Sequence, residues 1–129
     1  MLKDKNEGEL MMDRQTAREE AFKHLFQRNI NDQVNTAENM NNYTKKLVQG
    51  VSEHIEEIDQ LISTHLENWT LDRIALVEKT ILRIATYELK FTEDIPVAVA
   101  INEAVELGHK YGDEKSSKFI NGVLSKIIK

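Results

Sequence analysis

Imidazole binds metals and moves protons near neutral pH, so the four histidines, His24, His54, His65 and His109, are the first residues with chemical potential. No His-Glu-x-x-His pair occurs. Glu106 and His109 form a single Glu-x-x-His, whereas a two-metal helical bundle needs two such pairs and further inward glutamates. Helical spacing also puts Glu106 on a polar face. These histidines therefore read as solvated or capping residues. A Gly-x-x-x-x-Gly-Lys phosphate loop, a dinucleotide fingerprint and a Gly-x-Ser-x-Gly elbow are all missing from the chain. Without cysteine there is no thiolate ligand, nucleophile or disulfide. The adjacent acids Glu56 and Glu57 fall on a solvated face. The expectation is a protein that is not an enzyme and holds no cofactor or metal.

The basic residues are more informative. Arg14 and Arg18 are spaced i, i+4, which projects both guanidiniums from one side of a helix. Arginine grips phosphate bidentately and stacks on bases. Taken alone, two such arginines describe a solvated helix face, as do Lys115 and Lys118. Tyr111 and Phe119 taken alone describe core positions. Asn102 and Asn121 stand beside apolar positions and are expected to be buried and hydrogen-bonded. The pair Asn121-Gly122 within a helix suggests the close approach of another backbone.

Helices must position these groups. The single proline and five glycines are too few for a sandwich or barrel. Asp13 is a plausible N-cap for a first helix, Arg14 to about Arg28, with Ala17, Ala21, Phe22, Leu25 and Phe26 in helical register. Residues 29–42, rich in Asn and Asp, read as a loop with at most one short helix. From Tyr43 to Leu66 the apolar spacing returns, giving one long helix or two end to end. Gly50 marks a kink or a close packing point. Thr70 is placed to cap a helix from Leu71 to about Phe91, in which twelve of 21 positions are apolar or aromatic. A stripe that wide belongs to a central helix packed on several sides. Pro96 suits a first helical turn and opens a helix to about Lys110, with Val97, Ile101, Ala104 and Val105 facing inward. Gly112 is the expected C′ residue. A last helix runs from about Ser116 to Ile128.

The chain has 129 residues, 40% hydrophobic and 30% charged, enough for one domain with a real core. Residues 1–12 read as a flexible segment and 13–129 as the domain. The start, Met1-Leu2-Lys3-Asp4-Lys5, carries no apolar signal region. No run approaches the ~20 apolar residues of a spanning helix, so no membrane association is expected and the protein reads as cytoplasmic. The net charge of −5 is unevenly spread. Residues 1–28 are neutral, 29–109 carry −8, and 110–129 carry +3. Meeting of the two ends in the fold would create one positive face.

Four segments then occur in a fixed order: Trp69-x-x-x-Arg73; Leu82-Arg83-Ile84-Ala85-Thr86-Tyr87-Glu88-Leu89; Ile95-Pro96 followed by Ala100-Ile101-Asn102-Glu103-Ala104-Val105-Glu106-Leu107; and Lys118-Phe119-Ile120-Asn121-Gly122-Val123-Leu124. Together they resemble the NusB family of bacterial transcription antitermination factors. The first helix, Ala17-Arg18-Glu19 to Leu25-Phe26, resembles the family start more loosely. Residues 29–68 agree mainly in helical pattern and length.

The resemblance implies an all-α fold of about six to seven helices in two perpendicular helical subdomains, without catalysis. It implies binding to the boxA RNA of ribosomal RNA leader transcripts with the ribosomal protein NusE, and through that complex read-through by RNA polymerase. Carried over by position, the RNA-binding residues are Arg14, Arg18, Tyr111, Lys118 and Phe119, and Glu78 meets NusE. Family members often have three or more consecutive arginines at the N-terminal segment; this chain has two, separated, and it has Lys115 where some members have an acid. A homodimer covering the RNA face is compatible with the resemblance. The alternative is a protein-interaction scaffold of the same fold that has lost RNA binding.

Overall fold

The computed structural model describes the backbone of residues 7–30 and 41–129, and the side chains of 14–28 and 41–129. Among the described residues there are six α-helices, one 3₁₀ turn and no strand. The helices are α1 (Glu7–Ile30), α2 (Asn42–Glu53), α3 (Ile55–Thr64), α4 (Leu76–Phe91), α5 (Val97–Tyr111) and α6 (Glu114–Ile127), with the 3₁₀ turn at Leu71–Arg73. The fold is all-α, as the sequence pattern requires. Of the expected loop at 29–42, residues 31–40 lie outside the described residues, while α1 runs to Ile30 and α2 starts at Asn42, so its two ends are helical.

Helix α4 is the central element. Thr80, Ile81, Leu82, Ile84, Ala85, Thr86, Tyr87 and Glu88 are all buried. Each of the other five helices packs against it, which accounts for a stripe covering more than one face. Helices α1 and α2 form one side of the molecule against α4. Helices α5 and α6 pack on each other and on α4 at another side, and α3 bridges α4 and α6. Ala21, Phe22, Leu47, Val51, Ile58, Ile62, Ile81, Leu82, Ile120 and Leu124 are part of one continuous core.

Local chemistry sets the ends. Asn41 Oδ1 accepts from the backbone N–H groups of Tyr43 and Thr44 at 2.7 and 3.2 Å and starts α2. This satisfies two donors that have no partner inside the helix. Asp113 does the same for α6 through Ser116 N–H at 2.8 Å.

Several expectations are corrected. Helix α1 already runs from Glu7, so Asp13 lies inside the helix and not at its start. The break between α2 and α3 falls at His54, whose ring stacks on Phe91 at 4.3 Å. Gly50 is the close packing point of its two expected roles: it admits Tyr87, because a Cβ there would stand 2.2 Å from the ring. Thr70 caps no long helix. Its hydroxyl donates to Asp72, and the 3₁₀ turn stops where Ile74 turns extended and buries its side chain. Val97 is 46% exposed because α5 turns Ala100, Ala104, Leu107 and Gly108 inward. Gly112 has φ −117°, so it is not left-handed. Its missing Cβ leaves room for the Ser116 side chain. Asn102 and Asn121 are exposed, and nothing lies within 4 Å of a Cβ built on Gly122.

Candidate nucleic-acid interface

The two arginines of α1 have different fates. Arg18 stands in register with the core residues Phe22 and Leu25 and is 3% exposed. Its Nε lies 3.0 and 2.9 Å from the two carboxylate oxygens of Glu88 on α4. Glu88 is 1% exposed and accepts a second hydrogen bond from the Tyr43 hydroxyl on α2. Burial of the Tyr43 phenol, with the nearby Glu88 charge, pushes its pKa far above the ordinary value, so it remains a donor. The triad ties α1, α2 and α4 together. The expectation that both arginines project outward is therefore corrected for Arg18, whose guanidinium is desolvated and committed to a carboxylate.

Arg14, one turn earlier, reaches the surface. Its Nη2 donates to Asp94 Oδ2 at 3.0 Å in the segment between α4 and α5, and its Cζ lies 4.9 Å from the centroid of the Tyr43 ring. That distance is within cation–π range. Arg14 thus rests on a ring that the buried triad holds in place.

Tyr111 ends α5 and reaches back to α1. Its hydroxyl donates to Glu19, and its ring packs against Phe22 with centroids 4.7 Å apart. Burial and the hydrogen bond to Glu19 raise its pKa to about 12. Glu19 also receives Lys110 at 2.6 Å, and the bonds from Lys110 and Tyr111 hold its pKa below the usual range. Tyr111 is a half-buried tie between helices, with one ring face already covered. Between α1 and α5 runs a cleft lined by Glu19, Glu103 and Glu106 as well as Lys110 and His109. Three carboxylates make that cleft a poor host for phosphate.

Lys118 is exposed and Phe119 half-buried on α6. Among the described residues, no ion pair, hydrogen bond or ring contact joins them to Arg14. The structure thus brings Arg14, Arg18 and Tyr111 to α1 and leaves Lys118 and Phe119 on a separate helix. Glu78 sits in the first turn of α4, where the helix dipole favours an acid. Its neighbour Val77 lines a mainly apolar groove with Phe22, Phe26 and Tyr111.

Comparison with known proteins decides the family. The NusB family profile matches residues 10–129. The chain belongs to the NusB family. The transcription antitermination protein NusB of Oceanobacillus iheyensis is 52% identical over 125 residues, covering 91% of this chain and 99% of the relative. NusB of Bacillus subtilis is 50% identical, covering 90% and 95%. Among solved structures, Thermotoga maritima NusB superposes with a TM-score of 0.81 at 37% identity, covering 89% of both chains. A crystal structure of the antitermination factors NusB and NusE in complex with double-stranded RNA gives 0.79 at 34% identity, covering 89% of this chain and 95% of that one.

The residues that sequence reasoning missed are Tyr43, Glu88 and Asp94. Glu88 carried a readable signal, since it interrupts the apolar stripe of α4. A carboxylate in that register must find a buried partner. Tyr43 and Asp94 carried none, because only the packing of α2 and the segment after α4 brings them to Arg14.

Proposed function

We propose that this chain is a non-catalytic transcription antitermination factor that binds boxA RNA of ribosomal RNA leader transcripts together with NusE, and acts on RNA polymerase through that complex. The observation that carries the reading is the likeness, over 89% of the chain, to NusB in a structure with NusE and RNA. Residues 13–129 form the proposed RNA-binding domain, in the cytoplasm where transcription takes place. No helix among the described residues is long and apolar enough to cross a membrane.

Arg14 and Lys118 are the proposed phosphate contacts and Phe119 a base contact. Tyr111 contributes at most its uncovered face, and Arg18 acts by positioning α1. Glu78, beside the apolar groove of Phe22, Phe26 and Val77, is the proposed NusE contact; a basic partner would meet an acid next to an apolar seat.

The test is binding of labelled boxA RNA with and without NusE, against a scrambled RNA. Tighter binding with NusE, lost on scrambling, supports the adaptor. NusE binding with no RNA affinity under any condition refutes it in favour of a scaffold.

A further inference from the structure

Tyr43, in the first turn of α2, gathers positive charge around its ring. Arg14 Cζ lies 4.9 Å from the centroid, and Lys46 Nζ, one turn further along α2, lies 5.9 Å from it. The ring cannot swing away, because its hydroxyl is held by Glu88, which is itself held by Arg18. Such a platform presents its cations in a fixed arrangement, which is what phosphate recognition requires.

An anion already sits there. The Asp94 carboxylate takes the Arg14 guanidinium. Although its slight burial works the other way, the hydrogen bond from Arg14 and the charges of Arg14 and Lys46 hold its pKa below the usual value. The side chains of Arg14 and Asp94 are 35% and 54% exposed, and an ion pair so open to water exchanges partners at little expense. Among the described residues Lys46 has no acid within ion-pairing distance. On the α5 side of α1 the carboxylate-lined cleft repels phosphate, which leaves the α2 side as the favourable path for an RNA strand beside Arg14.

We propose that Arg14, Lys46 and the Tyr43 ring form a binding site for one phosphodiester of the RNA, and that the Asp94 carboxylate occupies this site until RNA displaces it. The site rests on the RNA-binding function proposed above and adds two residues to it. Lys46 supplies a second cation, and Asp94 is an internal competitor that sets the threshold for binding.

The experiment is fluorescence anisotropy of labelled boxA RNA with saturating NusE, across about 50 to about 300 mM salt, where each neutralised phosphate contributes about 0.7–0.9 to the log–log slope. Lys46→Ala is expected to weaken binding and to lower the slope by part of that one step, the rest staying with Arg14 on the same phosphate. Asp94→Asn is expected to tighten binding about 2–5-fold, the range set by an exposed ion pair. Both positions are exposed, so thermal unfolding followed by circular dichroism should match the unmodified chain. A normal slope in Lys46→Ala, or weaker binding in a folded Asp94→Asn, overturns the site while the RNA-binding function stands. Failure of the unmodified chain to bind RNA with NusE present overturns the function itself.

Discussion

Replacing Arg18 with methionine keeps the length of the side chain and removes its charge. Glu88, 1% exposed, would then retain only the Tyr43 hydroxyl as a side-chain partner. Breaking one side of a buried ion pair costs about 3–5 kcal/mol, because the remaining charge is desolvated without compensation. Against a total stability of about 5–15 kcal/mol this is a large fraction. With a urea slope of about 1–3 kcal/mol per molar, the unfolding midpoint should fall by roughly 1–5 M. Arg18→Met combined with Glu88→Leu removes both charges, and apolar replacement of a whole pair is often neutral or better. The double variant should therefore recover most of the loss. A double-mutant cycle by urea denaturation gives the coupling directly. RNA binding supplies a second readout. Arg18 touches no solvent-facing anion, so folded Arg18→Met should keep the salt slope of the unmodified chain, whereas Arg14→Ala should lower it by up to the one-phosphate step of about 0.7–0.9. A single variant costing less than about 1 kcal/mol would refute the assignment of Arg18 to positioning.

Gly50→Ala should destabilise by about 1–3 kcal/mol, the usual range for overpacking, even though alanine favours a helix more than glycine does. The new Cβ would meet the Tyr87 ring at 2.2 Å, and the measurement is the thermal midpoint. Asp113, whose pKa is lowered by its hydrogen bonds to Ser116, should contribute to stability above its ordinary pKa of 3.8 and lose that contribution as pH falls through the lower folded value. Asp113→Asn should flatten this acid limb in a pH series of unfolding midpoints, since an uncharged cap still accepts the bond.

The apolar stripe of residues 71–91 identified the central helix because burial on several sides leaves few polar positions free. The Lys118-Phe119 segment and the other motifs identified the family in the same direct way. What escaped was tertiary. Arg14 and Arg18 look equivalent by spacing, yet Arg18 shares its register with Phe22 and Leu25, and Arg14 lies at the end of that stripe. Only the arrival of Glu88 from 70 residues away decides between them. Likewise, the apolar period runs unbroken through His54, so the turn between α2 and α3 left no mark in the pattern. Thr70 is a sound local cap signal, but it was overridden when Ile74 turned into the core. Asp94 and Lys46 gain meaning only because α1 brings Arg14 both to the Asp94 carboxylate and over the Tyr43 ring that Lys46 also faces.

The seam between α1 and α4 has a kinetic consequence. Helices α4, α5 and α6 follow one another in sequence and pack on one another, so their contacts close short loops, which is the fast part of folding. The Arg18–Glu88 bond closes a far longer loop, whose entropy must be met before the contact rewards it. Docking of α1 onto α4 is therefore expected late in folding, and the surface that carries Arg14 and Lys46 over Tyr43 does not exist until it is complete. A nascent or partly opened chain with α4–α6 assembled has no such surface, so the phosphate site proposed on it would form only in the finished fold.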